Sequence, residues 1–246
     1  MTKPKLSDQI IGDILRKIGS GEFKAERPLP SESHFCALYG VNRGVIREAI
    51  SALEAKGFVQ VHQGSKSRVS PSYDWDVLDP IWVSVNANHD YYEALFKTRE
   101  IIEPEIAYYA ALNATKKDIS ELKRLLELYR NCTDSTENRA KLDAEFHKTL
   151  SRATKNPILN QLHNAIANLG VLSRTIALGL HEDEVVHRGI KGHEKIIDLI
   201  EAREPELARA SMLIHLSESK QDVNNAILKQ TLEAKNLSAG LTVLRA

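Results

Sequence analysis

This chain of 246 residues has few of the residues that are typical of secreted or redox proteins. Its two cysteines, Cys36 and Cys132, show neither zinc-site nor redox spacing, so we expect buried thiols in a reducing compartment. Aromatic residues make up only 6% of the chain. No apolar run approaches the roughly 20 residues needed to cross a bilayer, and no basic and apolar leader begins the chain. The sequence therefore predicts a cytoplasmic protein without a membrane partner.

Net charge is also lacking, because 33 Lys and Arg residues balance 33 Asp and Glu residues. This balance excludes a uniformly basic coat protein. The charge is unevenly placed, however: residues 1–71 hold 11 basic against 7 acidic residues, which leaves 22 basic against 26 acidic residues for the remainder. A basic first part and an acidic body are typical of a protein in which only the first part contacts phosphate. The length allows two domains with separate cores.

Residues 29–57, LPSESHFCALYGVNRGVIREAISALEAKG, predict two short helices joined by a tight turn. Gly40 stands where a left-handed residue can end the first helix, and Asn42 is a suitable N-cap for the second. Arg43 and Arg47 lie four residues apart, so they project from one face of the second helix near its start. Such a helix is suited to docking in the major groove of DNA.

A β-hairpin is predicted directly after these helices. Residues 58–62 alternate as a strand, residues 63–67 are turn formers, and residues 68–70 can return as the partner strand. The small, polar tip carries Lys66. This order of elements favours a winged helix-turn-helix over residues 1–71, the alternative being a helical hairpin and a β-hairpin with an ordinary charged surface.

Beyond this domain the chain shows helical periodicity and almost no strand pattern. We expect a linker at residues 72–82, an all-helical domain at residues 83–232 and a loose tail at residues 233–246. Helices with short connections predict an antiparallel bundle, so the fold class is mainly α. The six expected helices are Tyr91 to Asn113, one that opens at Thr115, Ser135 to Ala153, Pro157 to about Leu180, His187 to Ala202, and Pro205 to about Leu232.

Four polar residues of the expected bundle could share one metal ion. Asp143 and His147 lie four residues apart on one helix face, and His193 and His215 fall on the last two helices. One carboxylate and three imidazoles suit a divalent ion, zinc first, with nickel, manganese or iron as alternatives. A lone Asp-x3-His is common by chance. The remaining histidines are expected to be structural or exposed: His34, His62, His163, His181 and His187.

Several motifs stand in a fixed order along the chain. They are Leu29-Pro30-Ser31-Glu32, Gly40-Val41-Asn42-Arg43, Val45-Ile46-Arg47-Glu48-Ala49, Leu53-Glu54-Ala55-Lys56-Gly57-Phe58, Arg99 with Ile102-Glu103-Pro104, Asp143-x3-His147, Asn156-Pro157, His193-Glu194-Lys195-Ile196, and Ala210-Ser211-Met212-Leu213-Ile214-His215-Leu216. In these motifs the chain resembles the GntR regulators. From about residue 6 to residue 230 it is similar to their FadR subfamily, which joins a winged helix to an all-helical, metal-binding FCD domain.

The resemblance implies a role for each of these positions. The aspartate and the three histidines match the family's metal ligands. Arg99 matches an arginine that helps the ion to bind a small carboxylate effector, the alternative being a surface salt bridge with Glu103. Trp75-x2-Leu78-Asp79-Pro80 resembles the linker of members that respond to sugar acids. The residues expected to contact DNA are Ser33, Asn42, Arg43, Arg47, Gly64, Lys66 and Arg68.

The pattern departs from the family at Ser33, where an arginine is usual, and at His34, where an acidic residue is usual. The operator sequence therefore cannot be copied from relatives. The expected function is that of a homodimeric, effector-responsive repressor that binds a pseudo-palindromic operator in double-stranded DNA. Two alternatives stay open. One is a metal-dependent hydrolase fused to a DNA-binding head, with Glu145 and Glu194 close in sequence to the ligands. The other is a regulator that senses the metal ion itself.

Overall fold

The computed structural model describes residues 5–61, 66–178 and 182–243. The chain forms two compact units, Met1–Asn88 and His89–Ala246. Within the described residues the fold is mainly helical with one two-stranded antiparallel sheet, as the sequence predicts. In the same residues, no helix combines the length and the apolar character needed to cross a membrane.

The first unit contains the predicted winged helix. Its elements are helices α1 (Leu6–Gly19), α2 (Glu32–Tyr39) and α3 (Arg43–Ala55) and strands β1 (Val59–Gln60) and β2 (Arg68–Val69). The Ser31 hydroxyl accepts a hydrogen bond from the His34 amide at the start of α2, and Gly40 ends that helix with φ of 65°. At the start of α3, Asn42 Oδ1 accepts from the Val45 amide. These caps fix the angle at which α3 leaves the turn.

The wing has a third backbone partner that sequence patterns did not indicate. β1 and β2 pair antiparallel, with Gln60 opposite Arg68. The amide of Leu29 donates to the carbonyl of Ser67 at 2.8 Å, so the chain before α2 borders the hairpin. Strand β2 is therefore bordered by β1 on one side and by the chain before α2 on the other. The tip at residues 62–65 lies outside the described residues.

Residues 72–82, predicted to be a linker, belong to the first unit instead. They form a 3-10 turn (Ser72–Asp74) and the start of helix α4 (Pro80–Asn86), which packs along α1. Trp82 is buried, and its ring centroid lies 5.0 Å from that of Phe58 and 5.3 Å from that of Trp75. The boundary between units falls after Asn88 because these side chains share the core of the first unit.

The second unit contains the six predicted helices. They are α5 (His89–Asn113), α6 (Lys116–Arg130), α7 (Thr136–Ala153), α8 (Pro157–Leu178), α9 (Glu182–Glu201) and α10 (Pro205–Val243). Helix α9 begins five residues earlier than expected. Helix α10 also runs through most of residues 233–246, which were expected to be loose, because no proline interrupts it after its first residue. Cys132 is buried as expected, but Cys36 in the first unit is only partly buried.

The bundle brings α7, α9 and α10 around one centre. Helix α10 packs against α5 and α9, while α7 packs against α5, α6 and α8. Alanines on α5, including Ala107, Ala110 and Ala111, are fully buried and allow close approach of the neighbouring helices. Phe146 of α7 and Met212 of α10 fill the same core. The polar residues one turn away on α7, α9 and α10 therefore face a closed interior.

Candidate metal centre and DNA-contacting face

Three histidines from three different helices meet in the helical unit. His147 of α7, His193 of α9 and His215 of α10 are all buried, and each offers a ligand atom within 4.8 Å of the others. The ring centroids of His193 and His215 lie 4.7 Å apart, and those of His147 and His215 lie 5.5 Å apart. Residues far apart in the chain thus form one compact group of nitrogen donors.

The Asp143 carboxylate completes this group. It lies one turn before His147 on α7, with Oδ2 at 3.9 Å from Nε2 of His147. Its Oδ1 lies 3.6 Å from Nε2 of His193. The structure therefore brings together all four residues that the sequence nominates as ligands, and two of the histidines turn the same ring nitrogen toward the carboxylate.

Several polar atoms of this group are buried without a hydrogen-bond partner. They are Oδ1 of Asp143 and both ring nitrogens of His147 and of His193. Leaving buried polar atoms unpaired costs free energy, so such a concentration in one place requires a ligand to offset it. A divalent metal ion takes donors of these types. The residues present fit the ion that the sequence predicts.

The electrostatics favour the metal-binding protonation states. Burial lowers the pKa of His193 well below its ordinary value, and neighbouring His215 lowers it further. Burial and then His147 lower the pKa of His215 to about 3. Burial alone would raise the pKa of Asp143, but Arg174 and the histidines outweigh it and hold that pKa well below its usual range. At neutral pH His193 and His215 therefore offer neutral imidazoles and Asp143 offers a carboxylate, which are the forms that bind metals.

Arg99 is bound to Glu103 in the interior. Its Nε donates to Oε1 of Glu103 at 2.7 Å, and both side chains are buried. The pair with Glu103 that the sequence left as the alternative role of Arg99 forms, but it is buried and not a surface salt bridge. The same carboxylate lies beside His147, whose Nδ1 is 2.8 Å from Oε2, and beside His163, whose Nε2 is 3.6 Å from Oε1. His163 is thus a buried neighbour of the centre.

Arg174 of α8 is a second buried guanidinium that sequence reasoning missed. Its Nε lies 3.5 Å from Oδ1 of Asp143 and has no hydrogen-bond partner, while its Nη2 donates to the Tyr129 hydroxyl at 2.7 Å. Burial lowers the pKa of Arg174, but Asp143 more than restores it, so the residue stays charged. Arg174 is the one charged residue in the mainly apolar residues 169–178, which is a signal that could have found it.

Two glycines of α9 leave space for neighbouring side chains of the centre. A Cβ at Gly192 would lie 2.5 Å from Nδ1 of His215, and a Cβ at Gly189 would lie 2.9 Å from the Tyr129 hydroxyl and collide with Arg174. Both distances are too short for a side chain. The close approach of α9 to its neighbours therefore depends on glycine at both positions.

A small cavity borders the centre between α5, α7 and α8. It is lined by Arg99, Glu103, Asp143, Ala144, His147, His163, Ile166, Ala167 and Gly170. Its volume of about 10 Å³ is that of roughly one water molecule. In this conformation the centre is closed to anything larger from that side.

The first unit presents the predicted DNA-contacting residues of α2 and α3 on one exposed surface. Nη2 of Arg43 donates to the Ser33 hydroxyl at 3.2 Å. Arg47 forms an ion pair with Glu32, with Nε at 3.1 Å from Oε2. Asn42 is exposed and caps α3, so its side-chain oxygen is already engaged. The arginines start the helix as predicted, but each is held by a residue of α2.

The wing adds two further cations. Lys66 and Arg68 are exposed, and Arg68 lies in β2 opposite Gln60. Gly64, predicted for the wing tip, lies outside the described residues. Residues of α3 and the wing thus supply the positive charge expected of a face that meets phosphate.

Comparison with known proteins accounts for both units. Residues 6–69 match the gntR family of bacterial regulatory proteins, and residues 94–218 match the FCD domain. The chain belongs to the GntR family. Because this family consists of DNA-binding regulators, the present GntR protein is a transcriptional regulator and not an enzyme, which removes the hydrolase alternative.

Curated relatives extend over most of this GntR protein. It is 31% identical to the HTH-type transcriptional repressor NanR of Klebsiella aerogenes, over 88% of this chain and 84% of that protein. It is 29% identical to the repressor NanR of Cronobacter sakazakii, over 88% and 85% of the two chains. Among solved structures it is similar in fold to Lar, described as controlling the Listeria monocytogenes agr system, with a TM-score of 0.64 and 22% identity over 91% of this chain and 99% of that chain.

Proposed function

We propose that this GntR protein is a repressor whose DNA affinity is lowered by a small carboxylate effector bound at a divalent metal ion. The observation that carries the proposal is the buried convergence of Asp143 with His147, His193 and His215 in the FCD domain. Zinc suits this donor set first, with nickel, manganese or iron as alternatives. The names of the curated relatives support repression as the sign of regulation.

When bound, the ion would act as a Lewis acid that attracts a carboxylate of the effector. The chain itself supplies cations beside the ligand group. We assign the effector contact first to Arg174, because its buried Nε has no hydrogen-bond partner and lies 3.5 Å from Asp143. Arg99 lines the small cavity but already donates to Glu103, so we place it second.

Effector binding from the side of Asp143 requires the FCD domain to open. The cavity beside Asp143 has a volume of only about 10 Å³, which is too small for a sugar acid or another small carboxylate. An effector that binds only the opened bundle shifts the population toward that state by its difference in affinity. A coupling free energy of about 1–3 kcal/mol would lower operator affinity by roughly 5- to 150-fold.

On DNA, we propose that two copies bind the half-sites of a pseudo-palindromic operator in double-stranded DNA. Arg43 and Arg47 at the start of α3 would contact bases or nearby phosphates in the major groove, and Lys66 and Arg68 would contact the backbone. A homodimer matches the two-fold symmetry of such a site. Operator binding fits the cytoplasmic location that the sequence predicts.

A thermal-shift titration tests the effector site. Metal-loaded protein is screened against small carboxylates, including aldonates and uronates, and a ligand that binds the folded state raises Tm by mass action. His193→Ala should lose this shift, whereas His187→Ala, a histidine outside the ligand group, should keep it. If no carboxylate stabilises the wild type, or if His193→Ala responds equally, the effector site is wrong. If chelation alone changes operator affinity with no organic ligand present, the protein senses the ion itself.

Fluorescence anisotropy at fixed salt tests the DNA-contacting face. We expect Arg47→Ala and Arg43→Ala each to weaken operator binding by roughly 5- to 150-fold, as the loss of about 1–3 kcal/mol per base contact implies. Arg16→Ala is the matched control, since Arg16 is an exposed arginine of α1 that pairs with Asp13. Equal affinities for all three variants and the wild type would reject α3 as the recognition helix.

A further inference from the structure

Glu103 is a buried carboxylate beside the ligand group that the proposed function leaves without a role. It lies on α5, is 2% exposed, and is surrounded by three partners. Arg99 donates to Oε1 at 2.7 Å, and His163 Nε2 lies 3.6 Å from the same oxygen. The other oxygen, Oε2, lies 2.8 Å from Nδ1 of His147. Glu103 thus joins the arginine of the sequence motif to a candidate metal ligand.

The two nitrogens of the His147 ring face different carboxylates. Nδ1 lies beside Glu103 at 2.8 Å, whereas Nε2 lies on the side of Asp143 at 3.9 Å. The 2.8 Å separation is that of a hydrogen bond, although Nδ1 is not aligned well enough to make a good one. The opposite nitrogen, Nε2, lies on the side of Asp143, whose other oxygen is 3.6 Å from Nε2 of His193.

We propose that Glu103 is a positioning residue for the metal centre. By accepting the Nδ1 proton of His147, it selects the tautomer in which Nε2 carries the lone pair, and it fixes the ring orientation toward the ion. Carboxylates that accept the second ring proton of a histidine ligand raise its basicity and restrict its rotation. The inference rests on the proposed metal site, and it gives Arg99 an indirect role, because Arg99 orients Glu103.

The alternative is that Glu103 serves only to neutralise buried Arg99. The two roles separate in a charge-balanced double variant. Glu103→Leu removes the acceptor and leaves the charge of Arg99 unpaired, which also costs stability. Arg99→Met together with Glu103→Leu removes both charges at similar volume, so folding is restored while His147 still lacks its acceptor. Glu103→Gln keeps a neutral acceptor for Nδ1.

The test is the affinity for Co²⁺ and Zn²⁺, measured by competition with a chromophoric chelator, together with the visible absorption spectrum of the Co²⁺ form. We expect Glu103→Leu and the double variant to lose about 10- to 100-fold in affinity, as is typical for partners of histidine ligands, and to show a shifted Co²⁺ spectrum. Glu103→Gln should recover most of the affinity. The Tm of the metal-free variants shows whether each one folds. If Glu103→Leu does not fold, the metal affinity of the double variant decides the test.

Two results would overturn the inference alone. One is wild-type metal affinity in Glu103→Leu, and the other is recovery of wild-type affinity in the double variant, which would assign Glu103 to neutralising Arg99. A different result, the failure of the wild type to bind either ion, would reject the metal site and the positioning role together. The two failures are therefore distinguished by the wild-type titration.

Discussion

The ring of Phe58 stacks on the indole of Trp82, with centroids 5.0 Å apart and planes inclined by 22°. Phe58 directly follows the last turn of α3, and Trp82 lies on α4. Lys56, the C-cap of α3, forms an ion pair with Asp79, whose Oδ1 accepts the amides that begin α4. The end of the recognition helix and the segment that leads to the next unit therefore share one core.

This shared core predicts a large effect of Trp82→Ala. Truncating a buried tryptophan leaves a cavity, so we expect the free energy of unfolding of the DNA-binding unit to fall by about 3–5 kcal/mol. The chain has two tryptophans, so in this variant Trp75 alone reports unfolding in urea by its fluorescence. Tyr73→Ala is the control, because Tyr73 is 86% exposed and its loss should cost less than about 0.5 kcal/mol. Equal losses in the two variants would contradict the packing described for α4.

Glu32→Gln should strengthen DNA binding. The Glu32 carboxylate pairs with Arg47. On the proposed DNA-contacting face it would compete with phosphate for the guanidinium. Removing one negative charge at this position should raise operator affinity by about three- to tenfold at low salt, with a smaller gain at high salt. Glu22→Gln, which breaks an ion pair with Lys17 outside α2 and α3, serves as the control in the same anisotropy titration. Weaker binding by Glu32→Gln would mean that Glu32 itself contacts the operator.

The metal-free protein should lose stability as the pH falls below about 6.5. There the unfolded state begins to bind protons on its histidines. In the folded state the pKa of His215 is about 3 and that of His193 is also well below its ordinary value, so neither takes up a proton. The free energy of unfolding then falls by up to ~1.4 kcal/mol per pH unit for each histidine, down to the folded pKa. Urea denaturation of chelator-treated protein between about pH 5 and 7 measures the slope. His215→Gln should reduce it, and a pH-independent free energy would contradict the burial of neutral imidazoles.

Gly192→Ala should weaken metal binding without unfolding the bundle. Its Cβ would lie 2.5 Å from Nδ1 of His215, so the imidazole must shift away from His147 and His193. We expect a loss of roughly tenfold or more in Zn²⁺ affinity, on the scale of misplaced ligand supports. Gly12→Ala is the helical control, because Gly12 lies on α1 in the first unit and a Cβ there would make only ordinary contacts, at 3.7 Å from Ile81 and 3.9 Å from Val85. That change should leave metal affinity unchanged. Equal metal affinity in both variants would show that His215 is not a ligand.

Local patterns in the sequence were sufficient for the elements and for the candidate ligands. Helical spacing and capping residues predicted the helices of both units, because those signals act within a few residues of each other. The i, i+4 spacing placed Asp143 and His147 on one face of α7, and helical periodicity placed His193 and His215 on the last two helices. The metal assignment of these residues stays a prediction.

Only the tertiary structure determined which distant segments of the chain contact each other. The spacing of Arg99 and Glu103 allowed a surface pair, but the packing of α5 against α7 buries both and sets Glu103 beside His147. Arg174 reaches Asp143 only because α8 packs on α7, and the expected linker became part of a core because Trp82 meets Phe58. Local sequence thus determined which side chains could share a helix face. Burial and long-range packing, which no short-range pattern encodes, determined their partners.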